Sequence, residues 1–179
     1  MKNFHKIASE QNTKPLLAAI MRQPELWNKL DIRTLGDSYH READDIILRF
    51  NDVFSSEDHL VNSHESIDYP SFFNLAHAKP IIFDLMRFVE GKRLGRVVIT
   101  RLSPGKQIYA HTDSVSQTDY YDRYHVTLQN AEGSIFRAGD ETICMQPGDI
   151  YWFNNAVEHE VINNSYEDRI TMIIDICSK

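Results

Sequence analysis

The chain has 179 residues, enough for one domain with a hydrophobic core, and its ordinary composition excludes fibrous and low-complexity proteins. The net charge is -7 and no stretch clusters Lys and Arg, which argues against binding to nucleic acid. No apolar run reaches the roughly 20 residues that cross a bilayer, and the N-terminus lacks the apolar core of a signal peptide. We therefore expect a cytoplasmic protein that does not contact membranes.

The first 92 residues carry most of the helix signals. The apolar segment 16–21 predicts a helix, and Pro24 suits the first turn of a second helix ending at Leu30. Residues 45–50 look like a strand, and the polar residues 52–70 are expected to form a loop. A further helix is predicted from Pro80 to about residue 90, because its apolar residues recur at helical spacing.

From residue 93 onward the pattern changes to short β-rich segments separated by Gly, Pro and Asn turns. We expect one domain over residues 1–179, with residues 93–179 forming its β core, and no βαβ alternation is visible. Such a pattern predicts a sandwich or barrel, of which the jelly roll is one form. The predicted strands are 96–102, 107–111, 123–129, 134–137, 142–145, 150–153, 160–162 and 170–176.

A possible metal site begins at His111 and Asp113. Residues i and i+2 of an extended segment point to the same face, so this imidazole and carboxylate can meet one metal ion. His159 adds a second imidazole just beyond a strong strand and a turn. Two His and one carboxylate on one side of an octahedral ion are typical of non-haem Fe(II) sites that activate oxygen, whereas zinc more often takes other ligand sets.

Arg169 follows His159 by ten residues and begins the last predicted strand. A dicarboxylate that chelates iron through one end needs a cation at its other end, and the planar guanidinium pairs well with a carboxylate. The alternative is a surface arginine paired with Glu167 or Asp168. The order of the metal motif, the distant histidine and this strand favours the first interpretation.

These motifs together resemble the aspartyl/asparaginyl β-hydroxylase family of 2-oxoglutarate oxygenases, including its bacterial proline-hydroxylase-like members. The resemblance covers residues 100–176. The matching text, in family order, is Pro104-Gly105, His111-Thr112, Arg123-Tyr124-His125-Val126, Pro147-Gly148-Asp149, Glu158-His159-Glu160-Val161 and Arg169.

The resemblance implies a mainly β protein with N-terminal helices, folded as a double-stranded β-helix (a cupin-like jelly roll). It also implies Fe(II) and 2-oxoglutarate as cofactors, and hydroxylation as the reaction. Arg123, His125 and Thr100 correspond to family residues near the cosubstrate. The animal members that name the family bind iron with two histidines and lack the carboxylate, so Asp113 makes this sequence more similar to the bacterial small-molecule branch.

We therefore predict an Fe(II)- and 2-oxoglutarate-dependent dioxygenase that hydroxylates an unactivated C–H bond. Its expected partners are 2-oxoglutarate, O2 and a small polar molecule, in particular a free amino acid. One alternative is a peptide or protein hydroxylase of the aspartyl/asparaginyl type. Another is a non-catalytic cupin-like metal-binding or sensing module, in which His125 replaces Asp113 as a ligand. The sequence leaves the oligomeric state and the carbon attacked open.

Overall fold

Eleven strands dominate the part of the chain that the computed structural model describes, residues 2–53 and 64–178. The strands are β1 (Phe4–Ala8), β2 (Asp44–Phe50), β3 (Ile67–Asp68), β4 (Arg93–Leu102), β5 (Gln107–His111), β6 (Asp122–Gln129), β7 (Ser134–Ala138), β8 (Glu141–Ile143), β9 (Ile150–Phe153), β10 (His159–Asn163) and β11 (Arg169–Cys177). The helices are α1 (Lys14–Met21), a 3-10 helix (Pro24–Leu26), α2 (Pro70–Asn74), α3 (Ala78–Phe88) and α4 (Val115–Thr118).

The strands form two antiparallel sheets. The major sheet has seven strands in the order β1-β9-β6-β11-β4-β2-β3, and the minor sheet has four in the order β5-β10-β7-β8. Aromatic rings join the two inner faces: the Phe4 and Phe136 rings lie 5.1 Å apart, and the Phe136 and Phe153 rings 4.9 Å apart. Packing of two sheets face to face gives the mainly β architecture that the sequence predicted.

Strand β11 lies in the middle of the major sheet and shows how side chains are divided between its two faces. Met172, Ile174 and Ile176 pack with residues of α1 and α3 in the largest apolar core. The alternate residues of the strand turn toward the minor sheet, and they include Arg169 and Asp175. Because successive side chains alternate, one strand supplies both the core and a polar interior face. The core contains residues from both halves of the chain, and the single domain over residues 1–179 stays a prediction.

Two departures from the sequence-based prediction lie within the first 30 residues. The helix expected from Pro24 to Leu30 is only a 3-10 turn ending at Leu26. Asn28 has φ +55° and exchanges hydrogen bonds with the backbone of Asp45, so it ends the turn and ties the chain to β2. Strand β1 was not predicted; it adds to the edge of the major sheet beside β9, a long-range pairing that its five residues do not reveal.

Other boundaries are closer to expectation. Strands β5 and β9 begin and end at the predicted residues. The strand expected over 142–145 instead spans Glu141–Ile143. The loop predicted over 52–70 contains β3 and the first residue of α2, while residues 54–63 lie outside the described residues. Over the ranges 2–53 and 64–178, every helix is too short or too polar to span a membrane.

Asn163 shapes the turn that leads from β10 into Arg169. Its side-chain amide donates to the carbonyls of Leu102 (2.7 Å) and Glu167 (2.8 Å), and its oxygen accepts from the backbone and hydroxyl of Ser165. We expect Asn163→Ala to lower the free energy of unfolding by about 1–3 kcal/mol, because buried partners lose their hydrogen bonds. Urea denaturation measures this. Asn164→Ala, at the exposed neighbouring residue, is the control. If Asn163→Ala lowers the free energy of unfolding no more than Asn164→Ala does, the role given to Asn163 is contradicted.

Candidate active site

Three side chains with metal-binding atoms meet at one end of the minor sheet. His111 is the last residue of β5, and its cross-strand partner is His159, the first residue of β10. Asp113 follows two residues after β5 ends. One ligand atom from each of the three lies within 4.8 Å of the others, so the strand pairing brings together residues 48 positions apart.

Backbone carbonyls orient both imidazoles. The Tyr109 carbonyl accepts from Nδ1 of His111 at 2.7 Å, and the Val157 carbonyl accepts from Nδ1 of His159 at 2.9 Å. Since a carbonyl can only accept, each Nδ1 carries the proton and each Nε2 presents a lone pair. Burial lowers the pKa of His159 to about 4, which keeps that imidazole neutral and able to bind a metal.

Asp113 is held by one of its two carboxylate oxygens. Oδ2 accepts from the Arg123 guanidinium and from the Asn155 side-chain amide (2.9 Å). The other oxygen, Oδ1, lies 3.9 Å from Nε2 of His111, on the side of the ligand cluster. Burial acts to raise the pKa of Asp113, but the Arg123 charge and further partners outweigh it and the pKa is lowered. The carboxylate is therefore ionised and pre-oriented, as a metal ligand must be.

Arg123 is bound to two carboxylates at once. Besides Asp113, it makes a two-pronged contact with Asp175, with nitrogen–oxygen distances of 2.7 and 2.9 Å. The two charges raise its pKa against the effect of burial. Its expected contact with the cosubstrate stays a prediction; in the structure it joins the Asp113 carboxylate to β11.

Arg169 is 3% exposed, and its Nη2 has no hydrogen-bond partner among the residues that the structure describes. Within the described ranges no carboxylate lies at salt-bridge distance from it, so the alternative pairing with Glu167 or Asp168 is absent there. Burial lowers its pKa to about 10. An unpaired charge in the interior is costly, and an anion such as a ligand carboxylate would satisfy it.

The surroundings of Arg169 contain further polar atoms without partners. His125 packs against the Phe136 ring, on which the Arg169 guanidinium also lies, 5.7 Å from the ring centre. Nδ1 of His125 and the hydroxyls of Thr127 and Thr171, which are opposite each other on β6 and β11, are buried and unsatisfied. These donors and the guanidinium are groups that bind carboxylates, and the sequence predicted a dicarboxylate here. The residues present therefore fit 2-oxoglutarate.

Thr100 lies on the same inner face but has partners of its own. It is opposite Thr171 on one side and opposite Asp45 on the other. Its hydroxyl donates to Asp45 (2.7 Å) and accepts from Arg33 (3.2 Å), and Arg33 also forms a salt bridge with Asp45 (3.1 Å). A contact between Thr100 and the cosubstrate stays a prediction, because in the structure this hydroxyl holds Arg33.

An outer cavity of about 300 Å³ opens beside the ligand cluster, with Asp113 and Arg123 in its wall. Among its cationic residues, Arg96 is distinctive: its Nε donates to Asn51 (2.8 Å) and its guanidinium lies over the Phe50 ring, 4.5 Å from the centre. No described carboxylate is within salt-bridge distance of Arg96. The remaining wall comes largely from residues before position 51 and from β11: Ile32, Arg33, Ser38, His40, Val98, Ile173 and Asp175.

Sequence reasoning missed several residues of the site. Asp175 could have been found, because it shares the face of β11 that carries Arg169, at an even spacing of six residues. Asn155 lies in an ordinary turn, and Arg33 belongs to a segment without regular structure. No local pattern distinguishes these two from other polar loop residues.

A double-stranded β-helix that places two imidazoles and a carboxylate beside a buried, unpaired arginine defines the class of non-haem iron hydroxylases. The chain belongs to the aspartyl/asparaginyl β-hydroxylase family, because the model of that family, described as "Aspartyl/Asparaginyl beta-hydroxylase", matches residues 73–179. The protein is thus a hydroxylase whose family cofactors are Fe(II) and 2-oxoglutarate, and the His-Asp-His cluster fits the iron.

Solved structures show the same fold. An oxidoreductase of the 2OG-Fe(II) oxygenase family from Burkholderia pseudomallei superposes with a TM-score of 0.57 at 17% identity, over 89% of this chain and 78% of that chain. A prolyl-4-hydroxylase from Pseudomonas putida gives 0.57 at 14% identity, over 100% and 94%. These matches confirm the jelly-roll prediction. A search of curated proteins found no match.

Proposed function

We propose that the protein hydroxylates a small carboxylate-bearing molecule, in particular a free amino acid. His111, Asp113 and His159 would hold Fe(II), and Arg169 would pair with the far carboxylate of 2-oxoglutarate. When bound, iron and 2-oxoglutarate supply the oxidising power that inserts an oxygen atom from O2 into a C–H bond. The protein contributes position and the exclusion of water.

Each group of the chain then has a defined task. The Tyr109 and Val157 carbonyls keep the two imidazoles turned toward the metal. Arg123 and Asn155 bind Oδ2 of Asp113, which leaves Oδ1 directed toward the metal. The aromatic rings between the sheets exclude water from the pocket near His125. No side chain is needed as a general base, because the reaction removes hydrogen from carbon rather than from an acidic group.

The observation that carries the substrate class is Arg96 in the outer cavity. Arg123 and Arg33 already face carboxylates, whereas Arg96 faces none among the described residues, so this arginine is available to a substrate carboxylate. A volume of about 300 Å³ is at the lower end of the roughly 300–1,000 Å³ of small-molecule sites. Both features support a small molecule over a folded protein segment.

The two alternatives make different demands on the site. A peptide hydroxylase needs room for chain on both sides of the reacting residue, and a cavity of this size walled by Arg33 and His40 does not favour it. A non-catalytic cupin-like module has no need of a buried guanidinium without a counter-ion, which makes Arg169 the residue that argues against it.

Succinate release in air, with Fe(II) and 2-oxoglutarate, tests the proposal against a panel of free amino acids and terminally blocked peptides. We expect a free amino acid to stimulate release. Arg96→Met should raise its apparent KM by roughly 10–100-fold, because a charge-assisted hydrogen bond contributes about 1.5–3 kcal/mol. Arg87→Met, which alters an exposed arginine of α3, is the matched control and should leave KM unchanged.

The outcomes separate the alternatives. Stimulation by blocked peptides alone contradicts the small-molecule proposal and supports peptide hydroxylation. Iron binding without succinate under any condition supports the non-catalytic module. An unchanged KM in Arg96→Met rejects Arg96 as the carboxylate partner.

A further inference from the structure

Residues 31–43, here called the strap, cross the metal end of the minor sheet and lie outside the family-matched residues 73–179. Two strap side chains contact the ring of His111. Tyr39 stacks on it with the centres 5.1 Å apart and the planes at 8°, and His40 meets it edge-on at 4.9 Å. A metal ligand of the jelly roll is therefore covered by a segment that the family pattern does not include.

Tyr109 connects the strap to His111 by a second route. Its carbonyl is the group that orients Nδ1 of His111. Its backbone N–H donates to the Tyr39 carbonyl at 2.9 Å, and the Arg41 guanidinium lies over its ring, 3.7 Å from the centre. The residue that turns the metal ligand is thus itself held by strap residues on two sides.

Glu42 closes this arrangement with both of its oxygens. Oε1 accepts from the Tyr109 hydroxyl and Oε2 from the backbone N–H of Gln107, each at 3.0 Å. These two donors lower the pKa of Glu42, so it is charged at neutral pH and the hydrogen bonds are strengthened. The next residue, Ala43, is buried and leads directly into β2, which anchors the end of the strap.

We propose that the strap completes the metal centre: Glu42 is a positioning residue that, through Tyr109, fixes the ring of His111. This inference rests on the proposed metal site. Loss of a group that orients a ligand typically weakens metal binding by roughly 10–100-fold. Glu42 acts on His111 only through Tyr109. We therefore expect its loss to weaken metal binding about tenfold, at the lower end of that range. By thermodynamic reciprocity, a bound metal holds the strap closed by the same factor.

The first measurement is the affinity of the purified full chain for Co(II), whose visible spectrum reports ligand geometry, and for Fe(II) without oxygen. We expect Glu42→Ala to bind both about tenfold more weakly and to give an altered Co(II) spectrum. Asp37→Asn is the matched control, since this exposed strap carboxylate contacts none of the described residues by hydrogen bond or ion pair. Tyr109→Phe, which removes only the hydroxyl, should weaken binding in the same direction.

The second measurement is tryptic cleavage after Arg41, an exposed residue within the strap. Co(II) should slow this cleavage up to about tenfold in the wild type and in Asp37→Asn, because cleavage needs the strap to open. The protection, taken as a ratio with and without metal, should largely disappear in Tyr109→Phe. Urea unfolding of the metal-free variants shows whether each still folds.

Wild-type protein that binds neither metal overturns the proposed function itself. Wild-type protein that binds metal while Glu42→Ala and Tyr109→Phe bind it equally well overturns only the strap inference. If Glu42→Ala fails to fold, the Tyr109→Phe affinity and protection decide: weaker binding with lost protection supports the inference, and wild-type values reject it.

Discussion

Replacing His159 with alanine is expected to abolish Fe(II) binding and all iron-dependent succinate formation. The change removes one of three ligand side chains, so the loss should exceed the roughly 10–100-fold cost of losing a group that only orients a ligand. Neither flanking glutamate is expected to substitute, because Glu158 and Glu160 are both bound to Arg137. Anaerobic titration with Fe(II), followed by calorimetry, measures the affinity directly.

His77→Ala is the matched control for this prediction. His77 is an exposed histidine next to the start of α3, and its side chain makes no capping hydrogen bond. The control should bind Fe(II) like the wild type. Iron affinity within threefold of wild type in a folded His159→Ala protein would reject His159 as a ligand, and with it the present metal centre.

Arg169→Met is expected to have two opposite effects. The metal-free protein should become more stable, because the desolvation cost of a buried charge with no counter-ion among the described residues is removed, while methionine keeps an unbranched apolar stem. The same protein should lose the stabilisation that 2-oxoglutarate gives to the iron-loaded wild type, about 2.7 kcal/mol at a concentration of 100 times Kd. Urea unfolding with and without Fe(II) and 2-oxoglutarate, in the absence of oxygen, measures both.

Arg101→Met provides the comparison. Arg101 is on β4, where it pairs with Asp44 and stacks on Trp27, so its loss should not stabilise the protein. It should keep the full response to 2-oxoglutarate. A destabilised Arg169→Met protein that still responds to 2-oxoglutarate would show that Arg169 serves the fold and not the cosubstrate.

The pairing of β5 with β10 explains why the predicted metal ligands meet. His111 and His159 are directly opposite in the register, and Asp113 follows at the strand end. Arg169 and His125 lie on the inner face of the major sheet, where both side chains contact the Phe136 ring. The two histidines of the ligand cluster thus come from the minor sheet, and the groups proposed to bind the cosubstrate come from the major sheet, so the two proposed functions lie on separate rigid elements.

The wall of the outer cavity comes from two parts of the chain, and this matters for substrate specificity. Its wall combines Arg96 of β4 with Arg33 and His40 of the strap. Arg33 is held by Asp45 of β2 and by Thr100 of β4, so the position of a strap residue depends on these two strands of the major sheet. We expect changes in the strap sequence to alter which substrate is preferred, while the residues proposed to bind the metal and the cosubstrate stay the same.

The sequence alone determined the β-rich second half and predicted the candidate site residues, because both depend on local signals. Strand alternation and turn residues identified β5 and β9 at their observed bounds. The spacing of His111 and Asp113, with the distant His159, predicted a cluster that the structure brings together, and chain order placed Arg169 at the start of the last strand. These signals can be read from the sequence because each one involves neighbours along one strand or a fixed order along the chain.

Only the tertiary structure decided what surrounds those residues. Arg123 is bound to Asp175 because β6 pairs with β11, a distant segment, and it also reaches Asp113, which follows β5. Glu42 reaches Tyr109 across 67 residues of sequence. Neither contact follows from residue type or spacing, since loop closure and strand order place the partners. For that reason the reaction class could be predicted from the sequence, whereas the positioning of the ligands and the wall of the substrate cavity could not.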